Sequence, residues 1–187
     1  MTYEEFLHAI RAAASVASTD EFLVFGSQAI LVHDPDPPLE LRQSIELDVV
    51  PTKVPERWED IDGVLGDLSL FHSTHGFYVH GVESQTAVFP HGWKKRCIRV
   101  HVGKPAVTVV CPELHDLAAS KLAAGRDKDF SYVSVLLHTG YVKSAMLLKR
   151  VDQLPIDAEV RTRLRAWIAS VASNIADRSK QSKPPTP

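Results

Sequence analysis

Cysteine is scarce in this chain. Cys97 and Cys111 are its two thiols; they form no CxxC pair and have no partner histidines at zinc-site spacing. That argues against a disulfide framework and a structural zinc site and fits a reducing cytoplasm. A surplus of one charge sign is missing too. The formal net charge of −2 sets up no global field for nucleic acid or an anionic membrane, so such a partner would need a local patch. No apolar run approaches the roughly 20 residues that span a bilayer. The opening "MTYEEFLHAIRAA" carries two glutamates where a secretory leader has a basic and then an apolar region. The expectation is a cytoplasmic protein with no membrane partner. No repeat at solenoid spacing is visible.

What is present is an ordinary globular composition, 44% hydrophobic and 24% charged over 187 residues, enough for a conventional core without staples. Thr2 and Glu5 have capping-box spacing, and Phe6, Ile10, Ala13, Ala14 and Ala17 recur on one helical face. "EFLVF" is too short for a buried helix and reads as a buried strand stopped by Gly26. A second helix, "SQAILVH", should start at Ser27 and end at "DPDPPLE", where three prolines in four positions forbid continuation. "QSIELDVVP" alternates, with Ile45, Leu47 and Val49 on one face and Ser44, Glu46 and Asp48 on the other. A polar helix-loop follows, then two or three strands in "FYVHGVESQTAVF", "CIRVHV" and "AVTVV". After Pro112 the pattern is helical to Asp177, with Gly125 and Gly140 as stops.

The expected organisation is an α/β core over 1–111, a helical subdomain over 112–177 and a polar, proline-rich, disordered tail over 178–187. The fold class is α/β of the α+β kind, a mixed sheet with flanking helices.

Two stretches carry candidate chemistry. Glu46 and Asp48, at i and i+2 on a strand, share a face about 6 to 7 Å apart at the backbone. Such a pair repels unless a cation sits between, and hard ions such as Mg²⁺ are held by one or two carboxylates plus phosphate oxygens. The ordinary alternative is a solvent-facing strand edge. Gly26 and Ser27 end a strand and open a helix, which aims N–H groups and a hydroxyl at an anion; alternatively Gly26 turns the chain and Ser27 is an N-cap. Lys121 on an Ala-rich helix reads locally as a solvated residue, and Arg126 to Asp129 as a solvated charge run. His72, His75 and His80 in "HSTHGFYVH" cross a glycine turn and lack a supporting Cys or HExxH helix, so they are not read as a metal site. In "GWKKR", Trp93 beside Lys94, Lys95 and Arg96 suits a stacked base and backbone phosphates, or a turn with a core tryptophan.

"VFGSQAIL" followed by "RQSIELDVV" resembles the nucleotidyltransferase superfamily signature. "SIELD", "PHGWKKR" and "DLAASKLAAGRDKDF" look like the small stand-alone members related to the AbiEii and mycobacterial toxin enzymes of toxin–antitoxin systems. The resemblance runs from about Phe22 to about Leu137. It implies a nucleotidyltransferase fold with its active site between the α/β core and the helical subdomain. It also implies that Gly26 and Ser27 hold the triphosphate, that Glu46 and Asp48 ligate Mg²⁺ (or Mn²⁺), and that Lys121 neutralises phosphate charge with Arg126 and Asp129 beside it. A serine before the acids matches Ser44.

The implied reaction is transfer of a nucleoside monophosphate from an NTP to a macromolecular hydroxyl, on RNA and tRNA above all, with an antitoxin as protein partner. RNA would bind a patch around Lys94, Lys95, Arg96, Lys121 and Arg126. Other readings are nucleotidylation of a protein or of a small molecule such as an antibiotic, and a degenerate module that binds nucleotide or a partner without turnover. The chain departs from the superfamily pattern at Glu46, where aspartate is usual. It departs again at the third carboxylate, which "CIRVHV" and "AVTVV" do not supply. His101 is the one candidate ligand in those two strands, and Asp129 the candidate replacement acid.

Overall fold

The computed structural model describes residues 1–83 and 85–181. Its chain divides into two compact units, Met1–Ala87 with Gly92–Glu113, and Val88–His91 with the helical stretch from Leu114 onward.

In the first unit, helix α1 spans Tyr3–Ala17 and is started by a complete capping box. Thr2 Oγ1 accepts the Glu5 N–H at 3.3 Å, and the Glu5 carboxylate accepts the Thr2 N–H at 2.6 Å. Phe6, Ile10, Ala13 and Ala17 are buried on one stripe. Complete burial of a side chain such as Phe6 or Ile10 contributes about 1.5–3 kcal/mol. Strand β1 (Glu21–Phe25) follows. The expected helix after it is a 3-10 turn, Ser27–Ala29, continued by a four-residue α2, Ile30–His33. Strand β2 covers Glu46–Pro51. Helices α3 (Trp58–Leu65) and α4 (Leu70–His75) lead to β3 (Tyr78–Gly81), and β4 (Ile98–Val102) and β5 (Val107–Cys111) complete the sheet.

The sheet is five-stranded and mixed, in the order β3-β2-β1-β5-β4. β2 runs antiparallel to β1 and parallel to β3, while β5 is parallel to β1 and antiparallel to β4. Leu47, Val49 and Val79 are fully buried and share a face by alternation. Helices α1 and α3 pack on each other and against β2 and β3. Gly81, in register with Val49, lies close against that helical layer, since a Cβ there would stand 2.1 Å from the Trp58 carbonyl oxygen. Glu46, Asp48, Tyr78 and His80 therefore point to the opposite face. Ile45 does not share the inward face as the alternation suggests. It precedes the strand and is 46% exposed.

In the second unit α5 (Leu114–Ala124) packs against α6 (Asp127–His138) and α7 (Ser144–Asp152), and α8 (Ala158–Gln181) packs on α7 and α6. Leu117, Leu136, Leu147, Val151 and Ile168 are buried in this bundle. The last helix runs past Asp177 to Gln181, so the start of the expected tail is helical, and the rest of that expectation lies outside the described residues. No described helix is long and apolar enough to cross a membrane.

Candidate active site on the open face of the sheet

Antiparallel pairing sets Phe25 opposite Asp48, so the residue after β1 turns directly beside the Asp48 side chain. That residue is Gly26, with φ +74°, and a Cβ on it would stand 2.0 Å from Asp48 Oδ2. Positive φ and the carboxylate each call for glycine independently. Gly26, not Ser27, occupies the N-cap position, and Ser27 is the half-buried first residue of the 3-10 turn.

Gln28, which sequence reasoning passed over, is fully buried, and its Nε2 donates to the Ser44 carbonyl at 2.6 Å. It ties the Gly-Ser turn to the entry of β2. The Ser44 hydroxyl accepts the Glu46 N–H at 3.2 Å and donates to the Glu46 carbonyl at 3.4 Å, so Ser44 shapes the start of the acidic strand.

Glu46 and Asp48 are half-buried on β2, and the adjacent parallel strand supplies their neighbours, Tyr78 opposite Glu46 and His80 opposite Asp48. His80 Nδ1 lies 2.9 Å from Glu46 Oε1 and 3.1 Å from Asp48 Oδ1. The hydrogen bond with Asp48 raises the His80 pKa against the opposing effect of partial burial, and the two carboxylates add to the rise. The Tyr78 hydroxyl is pushed up to about 12, first by burial and then by the negative charge of Glu46. One donor atom each from Glu46, Asp48 and His80 lies within 4.8 Å of the others. Two carboxylate oxygens and one imidazole nitrogen converging in this way fit a divalent cation.

The third member of this cluster comes from β3, and not from β4 or β5. His101 lies on β4, separated from β2 in the sheet by β5 and β1, with its Nδ1 3.2 Å from the Thr108 hydroxyl. Of the three histidines in "HSTHGFYVH", His72 pairs with Asp67 at 3.0 Å and His75 packs at a tilt against the rings of His8 and Phe71. His80 alone among them joins the acids. The signal for it was the alternation Tyr78, His80 against Val79, Gly81. Which strand lies beside β2 was not local information.

Lys121, Arg126 and Asp129 gather in the helical unit. Asp129, 1% exposed, accepts from Arg126 Nε at 2.6 Å and from Lys121 Nζ at 3.4 Å. Lys121, 7% exposed, also holds its ammonium 4.4 Å from the centre of the Tyr132 ring, a cation–π contact. Lys121 is thus not the solvated residue that its Ala-rich helix suggests. Asp129 is committed to two cations of its own unit. Trp93–Arg96 form a 3-10 turn on which Lys94 and Lys95 are exposed, with the Lys94 ammonium 5.9 Å from the Trp93 ring centre.

A mixed sheet carrying an acid-x-acid strand beside a Gly-Ser turn defines a protein of the nucleotidyltransferase class. Consistent with that, a family model described as "Nucleotidyltransferase of unknown function (DUF6036)" matches residues 4–171, and the chain belongs to this family. No curated protein and no solved structure matches the chain.

Proposed function

We propose that the protein transfers a nucleoside monophosphate from an NTP to a hydroxyl of RNA, with tRNA as the acceptor class that the resemblance favours. The observation that carries the transfer is the convergence of Gly26, Glu46, Asp48 and His80 at one end of β1, β2 and β3. The acceptor hydroxyl gives its proton to solvent water, and its oxygen attacks the α-phosphorus in line. The bond from that phosphorus to the bridging oxygen breaks, and pyrophosphate leaves with the electron pair. A divalent cation held by Glu46 and Asp48 supplies, when bound, neutralisation of the phosphate charge.

The chain's own part is positioning. The bare Gly26 backbone leaves room for the Asp48 carboxylate beside the turn, and Gln28 fixes that turn relative to β2. His80 Nδ1 stands within 3.1 Å of a carboxylate oxygen of each acid and holds the pair together. The resemblance also gives Arg126, whose side chain is 60% exposed, a part in nucleotide binding; Asp129 accepts from its guanidinium and from the Lys121 ammonium. Exposed Lys94 and Lys95 support RNA as the acceptor through backbone contacts.

Incubation of the protein with each labelled NTP and total RNA, protein extract or aminoglycosides should place label in the RNA. Glu46→Gln and Asp48→Asn should abolish that label while leaving the melting temperature within a few degrees. Label that persists in both variants would sink the reading. In a toxin–antitoxin setting, expression arrests growth and the same substitutions relieve it.

A further inference from the structure

The two departures from an all-aspartate site compensate each other in space. Glu46 is diagonal to His80, since its direct partner in the register is Tyr78. Its longer arm nevertheless brings Oε1 to 2.9 Å from the imidazole nitrogen. An aspartate at 46, one methylene shorter, would fall back from that point. Asp48, directly opposite His80, reaches the same nitrogen at 3.1 Å with its short arm. Both acids thus address one atom, Nδ1, and the two parallel strands fix the geometry through the backbone. A site of this kind offers two anionic oxygens and one neutral nitrogen, where three carboxylates would offer three anionic oxygens.

That change of donors bears on which ion is held. Mg²⁺ takes oxygen ligands in near-ideal octahedral geometry and gives up water reluctantly. Imidazole is a ligand for transition ions, whereas carboxylates suit Mg²⁺ and Mn²⁺ alike. Mn²⁺ accepts both kinds of donor present here. Resting on the reading that this face takes a divalent cation, we propose that His80 Nδ1 is the third metal ligand and makes the site one for Mn²⁺ in preference to Mg²⁺.

The full chain should be titrated with Mn²⁺, following loss of the free-ion electron paramagnetic resonance signal, and then competed with Mg²⁺. Mn²⁺ should bind at least about tenfold more tightly than Mg²⁺, since even an outer-shell partner of a metal site is worth about that much. Pulsed spectra of the Mn²⁺-loaded protein should carry a ¹⁴N coupling from the imidazole. His80→Asp should keep Mn²⁺ binding, lose the nitrogen coupling and reduce the Mn²⁺/Mg²⁺ preference about tenfold; Glu46→Asp should weaken Mn²⁺ binding.

Absence of the nitrogen coupling in the wild type, failure to bind Mn²⁺, or an unchanged preference in a folded His80→Asp variant would each overturn the proposal. Circular dichroism checks that the variants are folded. If they are not, the wild-type nitrogen coupling decides alone. RNA labelling separates this inference from the reading beneath it. Transfer with Mg²⁺ and no nitrogen coupling would retain the activity and reject the ligand, while nitrogen coupling without any transfer would do the reverse.

Discussion

At the scale of residues, two glycines of the first unit make opposite predictions. A Cβ at Gly26 would meet the far end of one side chain, Asp48 Oδ2 at 2.0 Å, with the Cγ behind it at 3.1 Å. The carboxylate can swing aside, so Gly26→Ala costs the fold mainly the strain of a backbone at φ +74° and ψ −163°, a region open almost to glycine alone, about 1–3 kcal/mol. The displaced Asp48 is what the site loses. Misplacement of about an ångström costs on the order of 100-fold in rate, so RNA labelling should fall by about that much while the thermal melt shifts by only a few degrees.

Gly81 is the reverse case, because its neighbour is the Trp58 carbonyl at 2.1 Å, a backbone atom of the layer beneath the sheet. Gly81→Ala should destabilise by about 1–3 kcal/mol, as overpacking does, and urea denaturation should show it as a lower midpoint with an unchanged slope.

His33 belongs to the same scale. Its ring is held low in pKa chiefly by burial, against the favourable hydrogen bond with the Pro112 carbonyl at 2.9 Å. The nitrogen facing that carbonyl, Nε2, carries the donated proton in the neutral ring. The buried Cys111 sulfur is 3.5 Å from the same nitrogen, and burial pushes its thiol pKa well up, so the pair is inert packing and not a nucleophile with its base. With the folded pKa below the ordinary 6.5, the unfolded chain takes up its proton first as the pH falls. The His33 contribution to stability is therefore complete above about pH 6.5 and is lost as pH drops through the folded value. Melting temperatures measured from pH 7.5 down to 5 should fall less steeply for His33→Gln than for the wild type. Parallel slopes would show that other groups carry the acid sensitivity.

At the scale of elements, what was legible in the chain were the features with a local cause. The Thr2–Glu5 box, the stop at Gly26, the proline brake after His33 and the Gly125 break between α5 and α6 each act within a few residues. So do the acid pair and its face. The helix expected from Ser27 shrank to a 3-10 turn and one α turn because its start is bound to β1 and β2 and its end meets the prolines. The third member of the site was hidden for another reason. His80 comes 32 residues after Asp48, and only the parallel pairing of β2 with β3 brings them together. A parallel crossover is a tertiary fact. Periodicity gives the face on which His80 lies, but not the strand that it lies beside. The same limit applies to Lys121, whose Ala-rich helix reads as exposed until α6 brings Asp129 and Tyr132 against it.

At the scale of the molecule, the chain passes between its two units at Ala87/Val88, His91/Gly92 and Glu113/Leu114. The short segment Val88–His91 belongs with the helices. His91 donates its N–H to the Gln153 carbonyl at 2.9 Å, and Phe89 is buried. Each unit has its own core and its own ionic centre, with Glu46, Asp48 and His80 in one and Lys121, Arg126 and Asp129 in the other. These centres differ in kind. The first is half-buried, so removing a charge from it should cost activity far more than stability. The second is built around a carboxylate 1% exposed between cations, and deleting one partner of such a cluster costs about 3–5 kcal/mol. Asp129→Ala should therefore lower stability severely, through the helical unit first. Hydrogen exchange should show amides of α5 and α6 losing protection at a denaturant concentration where β1 and β2 keep theirs. Equal loss in the sheet would mean that the chain unfolds as one cooperative block, and the separate cores would not be separate thermodynamically. If Asp129→Ala instead retained full helical protection and lost only RNA labelling, Asp129 would belong to the chemistry, as the resemblance implies, and its ion pairs would be incidental to the fold.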